Sequence, residues 1–251
     1  MSRRQLPSIE ATARLRQAAG CEPPPAALAR WNAAIQAAAS DDATISILDV
    51  IGADWTGEGV TSRRIAAALR AIGKRDIVVN VNSPGGDFFE GLAIYNMLRE
   101  HEGEVTVKVL GMAASAASLI AMAGDRVEIA RAGFLMIHNT WAVAIGNRHD
   151  MRDFADTLEQ FDAAATSVYA ARTGLEAKAI GKMMDADTFI AGENAVEQGF
   201  ADDLLPSDAV ADDPKALAER PVMQRLAIVL AAAGMPRAER RAMIKEILDG
   251  T

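Results

Sequence analysis

Val105-Thr-Val-Lys-Val-Leu-Gly-Met-Ala-Ala-Ser115-Ala-Ala-Ser-Leu-Ile-Ala-Met-Ala-Gly124 decides how the rest of the chain is read. Its first half alternates and is β-branched, which predicts a buried strand. Gly111 is expected to break that strand. Ser115 follows, and the small and apolar residues behind it predict a short helix. A serine at such a strand-to-helix turn keeps its Oγ at a sheet edge instead of packed inside. The backbone N–H groups after it point outward at a helix N-terminus, where developing negative charge is favoured. The competing explanation is architectural: Gly, Ala and Ser simply let a helix pack closely on a sheet.

Upstream, Ala43–Ile51 alternates and predicts the first strand of the domain. Thr61 or Ser62 is placed to cap a helix carrying Ile65, Leu69 and Ile72 on one face and ending at Gly73. Asp76–Asn82 predicts the next strand. Strand, helix, strand is a βαβ unit, so a parallel sheet and an α/β class are expected. Asn82-Ser-Pro-Gly-Gly86 then opens a helix over Asp87–Arg99. Two glycines at a strand end allow a ligand close to the backbone, although an ordinary tight turn explains them equally well.

Downstream, Asp125–Ala130 and Phe134–His138 predict short strands. Arg148–Gly174 predicts a long helix, with Phe154, Leu158, Phe161, Ala165 and Val168 at helical spacing. A short helix over Glu176–Met184, a strand at Thr188–Ile190, a turn or two of helix at Glu193–Gln198 and an edge segment at Ala201–Leu205 complete the domain. The expected organisation has four parts. Residues 1–42 form an N-terminal arm with a short helix over Ala26–Ser40, and 43–205 form the domain. Residues 206–221 form a linker, and 222–251 a C-terminal extension of two helices split at Gly234-Met-Pro236.

The 251 residues are 50% hydrophobic and carry a formal charge of −8. Residues 1–40 and 215–251 are each net +3, which leaves −14 for the middle. That balance argues against nucleic acid as partner, because such binders carry a basic face. The single cysteine, Cys21, permits no internal disulfide, which fits a reducing, cytoplasmic setting. No signal peptide and no membrane span are expected. Neither a His-Glu-x-x-His motif nor a His/Cys cluster occurs, so no metal is expected and no cofactor is implied.

A serine hydroxyl needs a neutral imidazole to take its proton, a carboxylate to hold that imidazole, and N–H donors for the oxyanion. Of three histidines, His101 and His149 lie in charged runs and read as surface residues. His138 ends the apolar run Phe134-Leu-Met-Ile-His138 and is expected at a sheet edge, where active sites of α/β folds lie. For the carboxylate, Asp185 and Asp187 in Met184-Asp-Ala-Asp-Thr-Phe189 stand equal on the residues alone, since either can terminate a helix.

Four motifs in order resemble those of the Clp protease proteolytic subunit family: Asn82-Ser-Pro-Gly-Gly86, Gly111-Met-Ala-Ala-Ser115, Met136-Ile-His138 and Asp187-Thr-Phe189. Ala191–Asp202 is similar to the family's stretch after its catalytic aspartate, and the resemblance runs over roughly 43–205. It implies Ser115 as nucleophile, His138 as base and Asp187 as the residue that orients it. It also implies an oxyanion hole from the backbone N–H groups of Gly86 (or Gly85) and Ala116. The implied fold is a crotonase-like α/β core of repeated β-β-α units with a projecting handle helix, here Arg148–Thr173. The implied partners are a polypeptide substrate and copies of the same chain in a ring, with rings stacked through the handle. The terminal extensions resemble those of Clp-related proteases of phage head assembly, which process scaffold and capsid proteins. They argue against docking of a Clp ATPase.

Two other functions share these features. A crotonase-type acyl-CoA enzyme has the fold and the glycine-based oxyanion hole but needs no Ser-His-Asp set. A catalytically silent assembly protein with a protease fold needs none of the three residues.

Overall fold

The computed structural model describes residues 23–31, 35–37, 43–52, 59–205 and 210–212. The arm before residue 23 and the two helices expected over 222–251 lie outside the described residues. Helix α1 (Pro25–Arg30) precedes strands β1 (Ile35–Ala37) and β2 (Thr44–Ile47). Then come α2 (Ser62–Ile72), β3 (Ile77–Ser83), α3 (Phe88–Arg99), β4 (Val105–Ala114) and α4 (Ala116–Ala121). Strands β5 (Arg126–Ile129) and β6 (Phe134–Ile137) lead into the long helix α5 (Arg148–Thr173). The chain closes through α6 (Ala177–Asp185), β7 (Thr188–Ala191), α7 (Gly192–Glu197), β8 (Asp203–Leu204) and β9 (Val210–Asp212).

A seven-stranded, mostly parallel sheet carries this α/β fold. Its main path runs β2-β3-β4-β5-β8, parallel at every step. β6 branches off β4, parallel to it, and pairs antiparallel with β7. β3 is buried at six of its seven positions, the continuous apolar pattern of a strand covered on both faces. Local chemistry sets the helix boundaries. Thr61 accepts the Arg64 N–H to start α2, and Asp87 accepts the Glu90 N–H to start α3. Asn147 and Asp150 close a capping box on α5, and Gly174 ends it in the left-handed conformation.

Gly111 does not break β4 as the sequence suggested. It stands where the strand exchanges neighbours: Thr106–Val109 pair with β5, and Met112–Ala114 pair with β6. β3 shifts register opposite the same place, between Val81 and Ser83. There the Asn82 side-chain oxygen accepts the Met112 N–H at 3.2 Å, in place of a ladder bond. The result is one ten-residue strand that delivers Ser115 beyond the main path of the sheet.

The helix expected over Ala26–Ser40 is also different. It stops at Arg30, because Trp31 turns extended (φ −72°, ψ 128°), and β1 follows. β1 pairs antiparallel with β9, Ile35 opposite Asp212. The stretch 206–221, expected to be a linker, therefore contains a strand tied to the segment before β2. Phe161 of α5 is turned toward its own chain. Its ring packs against those of Phe88 and Phe89, at centroid distances of 5.6 and 5.2 Å, so it belongs to the core of its own chain. Among the described residues no helix is long and apolar enough to cross a membrane.

Candidate active site

Ser115 sits between the last residue of β4 and the first of α4, at φ 55° and ψ −125°. A positive φ at a residue with a Cβ is strained and persists only when its surroundings hold it. Here the Ser115 N–H donates to the Met136 carbonyl at 2.8 Å. Its carbonyl in turn accepts from the Ser118 hydroxyl at 2.7 Å and the Ser118 N–H at 2.9 Å. The turn throws the Oγ out toward the end of β6. His138 follows β6 directly, and the parallel pairing of Ala114 with Met136 brings the two strand ends side by side. The His138 Nε2 lies 2.6 Å from the Ser115 Oγ.

Burial holds the half-buried His138 imidazole below its usual pKa. The negative charges of Asp187 and Asp162 oppose that effect, as does a hydrogen bond with the Asn139 backbone. The net direction is downward, which keeps the imidazole neutral at neutral pH and able to take a proton.

The two aspartates that stand equal on the residues alone, with the resemblance pointing to Asp187, are placed differently. Asp187 lies just before β7, whose Thr188 pairs with Ile137, so the register carries it next to His138. It holds a left-handed conformation at φ 49°, and its N–H donates to the Met184 carbonyl at 3.1 Å. Its carboxylate acts on the imidazole through charge; among the described residues no hydrogen bond joins them. Asp185 instead accepts the Asn139 side-chain amide at 2.8 Å.

Gly85 and Gly86 face the serine turn from the end of β3. A Cβ on Gly85 would stand 2.5 Å from the Ala114 carbonyl oxygen and 2.7 Å from the Ser115 Cβ. One on Gly86 would stand 2.1 Å from the Ile51 carbonyl oxygen. Both positions have positive φ, and only glycine fits. The structure also separates the two as donors. The Gly85 N–H is engaged with the Ser83 Oγ at 3.2 Å, so it is not offered to the cleft. The N–H groups of Gly86 and Ala116 have no acceptor among the described residues, and both residues line the cleft with Ser115 and His138.

The rest of that cleft is formed by Phe88, Leu119, Thr140, Trp141, Ala165 and Tyr169. Tyr169 was not foreseen as part of the site. Its hydroxyl shares a 2.7 Å hydrogen bond with Ser118, and burial pushes the phenol well up, so it stays neutral. Asp162 was missed as well. It accepts both the N–H and the hydroxyl of Thr140, at 2.6 and 2.5 Å, fixing the segment after His138 to the long helix. No sequence spacing links Thr140 to Asp162. His101, expected to be solvated, contacts the Arg75 carbonyl at 2.8 Å and takes no part in the site. Among the described residues no group of three or more His, Cys, Asp or Glu is placed to hold a metal ion.

The geometry agrees with relationships visible in sequence. The Clp protease family profile matches residues 34–208, a span that includes Ser115, His138 and Asp187. ATP-dependent Clp protease proteolytic subunit 3 of Rhodococcus jostii is 32% identical over 139 residues, covering 54% of this chain and 68% of the relative. ATP-dependent Clp protease proteolytic subunit 1 of Prochlorococcus marinus is 30% identical over 165 residues, covering 62% and 84%. The chain belongs to the Clp protease family.

Proposed function

We propose that the chain is a serine endopeptidase in which Ser115 is the nucleophile and His138 the general base. The observation that carries this reading is the 2.6 Å contact between Ser115 Oγ and His138 Nε2. As the Oγ attacks a peptide carbonyl, its proton passes to Nε2, and negative charge builds on the carbonyl oxygen. The N–H groups of Gly86 and Ala116 receive that charge. Collapse breaks the C–N bond, and the amine leaves with the proton from Nε2. Water, deprotonated by the same imidazole, then releases the acyl group from Ser115. Asp187 stabilises the imidazolium formed in both steps through its negative charge. The apolar rings around the cleft suit an uncharged side chain before the scissile bond.

The polypeptide substrate is met inside a ring of identical chains, in a cytoplasmic setting, and rings stack through α5. The finer assignment, a protease of phage head assembly acting on scaffold and capsid proteins, rests on the terminal extensions. Neither relative above carries that role in its name. Cleavage of a co-expressed scaffold protein without any Clp ATPase supports it, and strict ATPase dependence refutes it.

The serine peptidase reading is tested by fluorophosphonate labelling of the purified, assembled protein, with the adduct mapped by mass spectrometry. The expected result is one adduct, on Ser115, with parallel loss of peptide hydrolysis. An adduct elsewhere, or hydrolysis that survives full labelling of Ser115, overturns it.

A further inference from the structure

All four strands that carry candidate site residues meet one short element that lies before the family match. α1 has six residues, far too few to be stable alone. It is held by docking: Ala27, Leu28 and Trp31 are buried against Met112, Ala114 and Met136. These three belong to β4 and β6 and face away from the main core, which takes the alternate residues Ala113, Leu135 and Ile137. Ala114 is the residue before the nucleophile, and Met136 supplies the carbonyl that holds the Ser115 N–H. The contacts extend to the other two strands. The Trp31 indole N–H donates to the buried Asn82 carbonyl at 2.9 Å, three residues before Gly85 on β3. The Asn82 side chain accepts the Met112 N–H, joining β3 to β4. The Arg30 guanidinium lies 4.1 Å from the centroid of the Phe189 ring on β7, two residues beyond Asp187.

We infer that α1 and Trp31 are a positioning brace for the active site, holding the strand ends that present the nucleophile, base, orienting carboxylate and oxyanion donor in one register. Trp31 touches none of the reacting groups, so it is a positioning residue and acts through Asn82, Met112 and Met136. The brace explains how Ser115 keeps a strained backbone: the face of β4 and β6 directly behind it is packed rather than wet. The inference rests on the serine peptidase reading, and its test separates the two.

The full-length chain is compared with Trp31→Phe, Trp31→Ala and Arg30→Gln by peptide hydrolysis, thermal melting and amide exchange over residues 111–118 and 136–141. Trp31→Phe keeps the ring and loses the N–H donor. Its expected signature is a fall in kcat of roughly three- to tenfold, on the scale of one hydrogen bond, with KM unchanged and a modestly lower melting temperature, because the buried Asn82 carbonyl loses this donor. Trp31→Ala should lower kcat further and speed exchange at the Ser115 amide. If Trp31→Ala does not fold, Trp31→Phe and Arg30→Gln carry the test. A lower melting temperature with kcat and exchange unchanged in every folded variant would make α1 a stabilising cover only, and overturns the brace. Failure of Ser115 labelling in the parent refutes the peptidase reading alone, because amide exchange still reports whether Trp31 holds the strand ends.

Discussion

Replacing Gly86 by alanine tests the oxyanion donor with little ambiguity. The new Cβ would lie 2.1 Å from the Ile51 carbonyl oxygen and 2.9 Å from the Ile51 nitrogen. An ordinary contact needs about 3.4 Å, so the backbone at 85–87 must retreat by roughly 1 Å. Oxyanion donors work within a window of about 2.7–3.1 Å, and a retreat of that size removes the bond. The expected loss is about 100- to 1000-fold in kcat with KM little changed. Stability falls as well. The Ile51 N–H to Gly85 and Asp87 N–H to Ile51 bonds, at 2.8 and 2.9 Å, are strained, each worth about 1 kcal/mol. Positive φ adds about 1–2 kcal/mol. A domain stable by about 5–15 kcal/mol survives this. The control is Gly73→Ala: it also has positive φ, at 77°, but its Cβ would meet nothing within 4 Å. Gly73→Ala should lower the melting temperature and leave kcat alone. A folded Gly86→Ala with kcat within about twofold of the parent would show that this N–H is not the donor.

Ser115→Ala should abolish hydrolysis by roughly three or more orders of magnitude. Ser118→Ala should melt lower and lose only a small part of the activity, because it strips the buried Tyr169 hydroxyl of its partner and removes one of the bonds to the Ser115 carbonyl while the Ser118 N–H bond remains; the reverse pattern in peptide assays would exchange their roles. Asp187→Asn should lower kcat with little change in KM. Burial sets the acid limb of kcat/KM below the ordinary histidine value of 6.5, and the Asp187 charge raises it, so the substitution moves that limb to lower pH. A shift to higher pH would contradict the charge assignment, and an equal loss in Asp185→Asn would leave no ground for preferring Asp187. Ile145, 96% exposed, and Val143, 66% exposed, lie between His138 and α5. Ile145→Glu should reduce a large oligomer to smaller species by sedimentation, whereas an unchanged oligomer removes this edge from the interface. Truncation after Asp212 should leave a folded chain that still cleaves small peptides; insolubility would place the later residues in the core.

Much of this site could be read from sequence because its parts are local. A β-branched run, a glycine and a serine before small residues define the turn at Ser115. An apolar run ending in histidine defines the sheet edge at His138. What escaped depends on long-range pairing. Gly111 reads as a break because glycine weakens strands, yet here it marks a change of neighbours that only the sheet's topology reveals. Asp187 and Asp185 have the same local chemistry, and apart from the motif resemblance it is the β6–β7 register that separates them. Gly85 and Gly86 are equivalent in sequence until the Ser83 hydroxyl takes one N–H. Phe161 falls at helical spacing suited to an outer contact, but the rings of α3 claim it. Substituting it with glutamate would damage the wall at Phe88 before it reported on assembly. Trp31 follows a run of alanines and prolines that carries no catalytic signal, and its partner Asn82 is 51 residues away.

The pairing of β1 with β9 has a practical side. Ile35 and Asp212 face each other across a ladder, so the segment that follows α1 and the last described strand run about 5 Å apart. A fluorescent donor attached at residue 35 and an acceptor at residue 212 would sit within energy-transfer range while the ladder is closed, so a loss of transfer would report its opening.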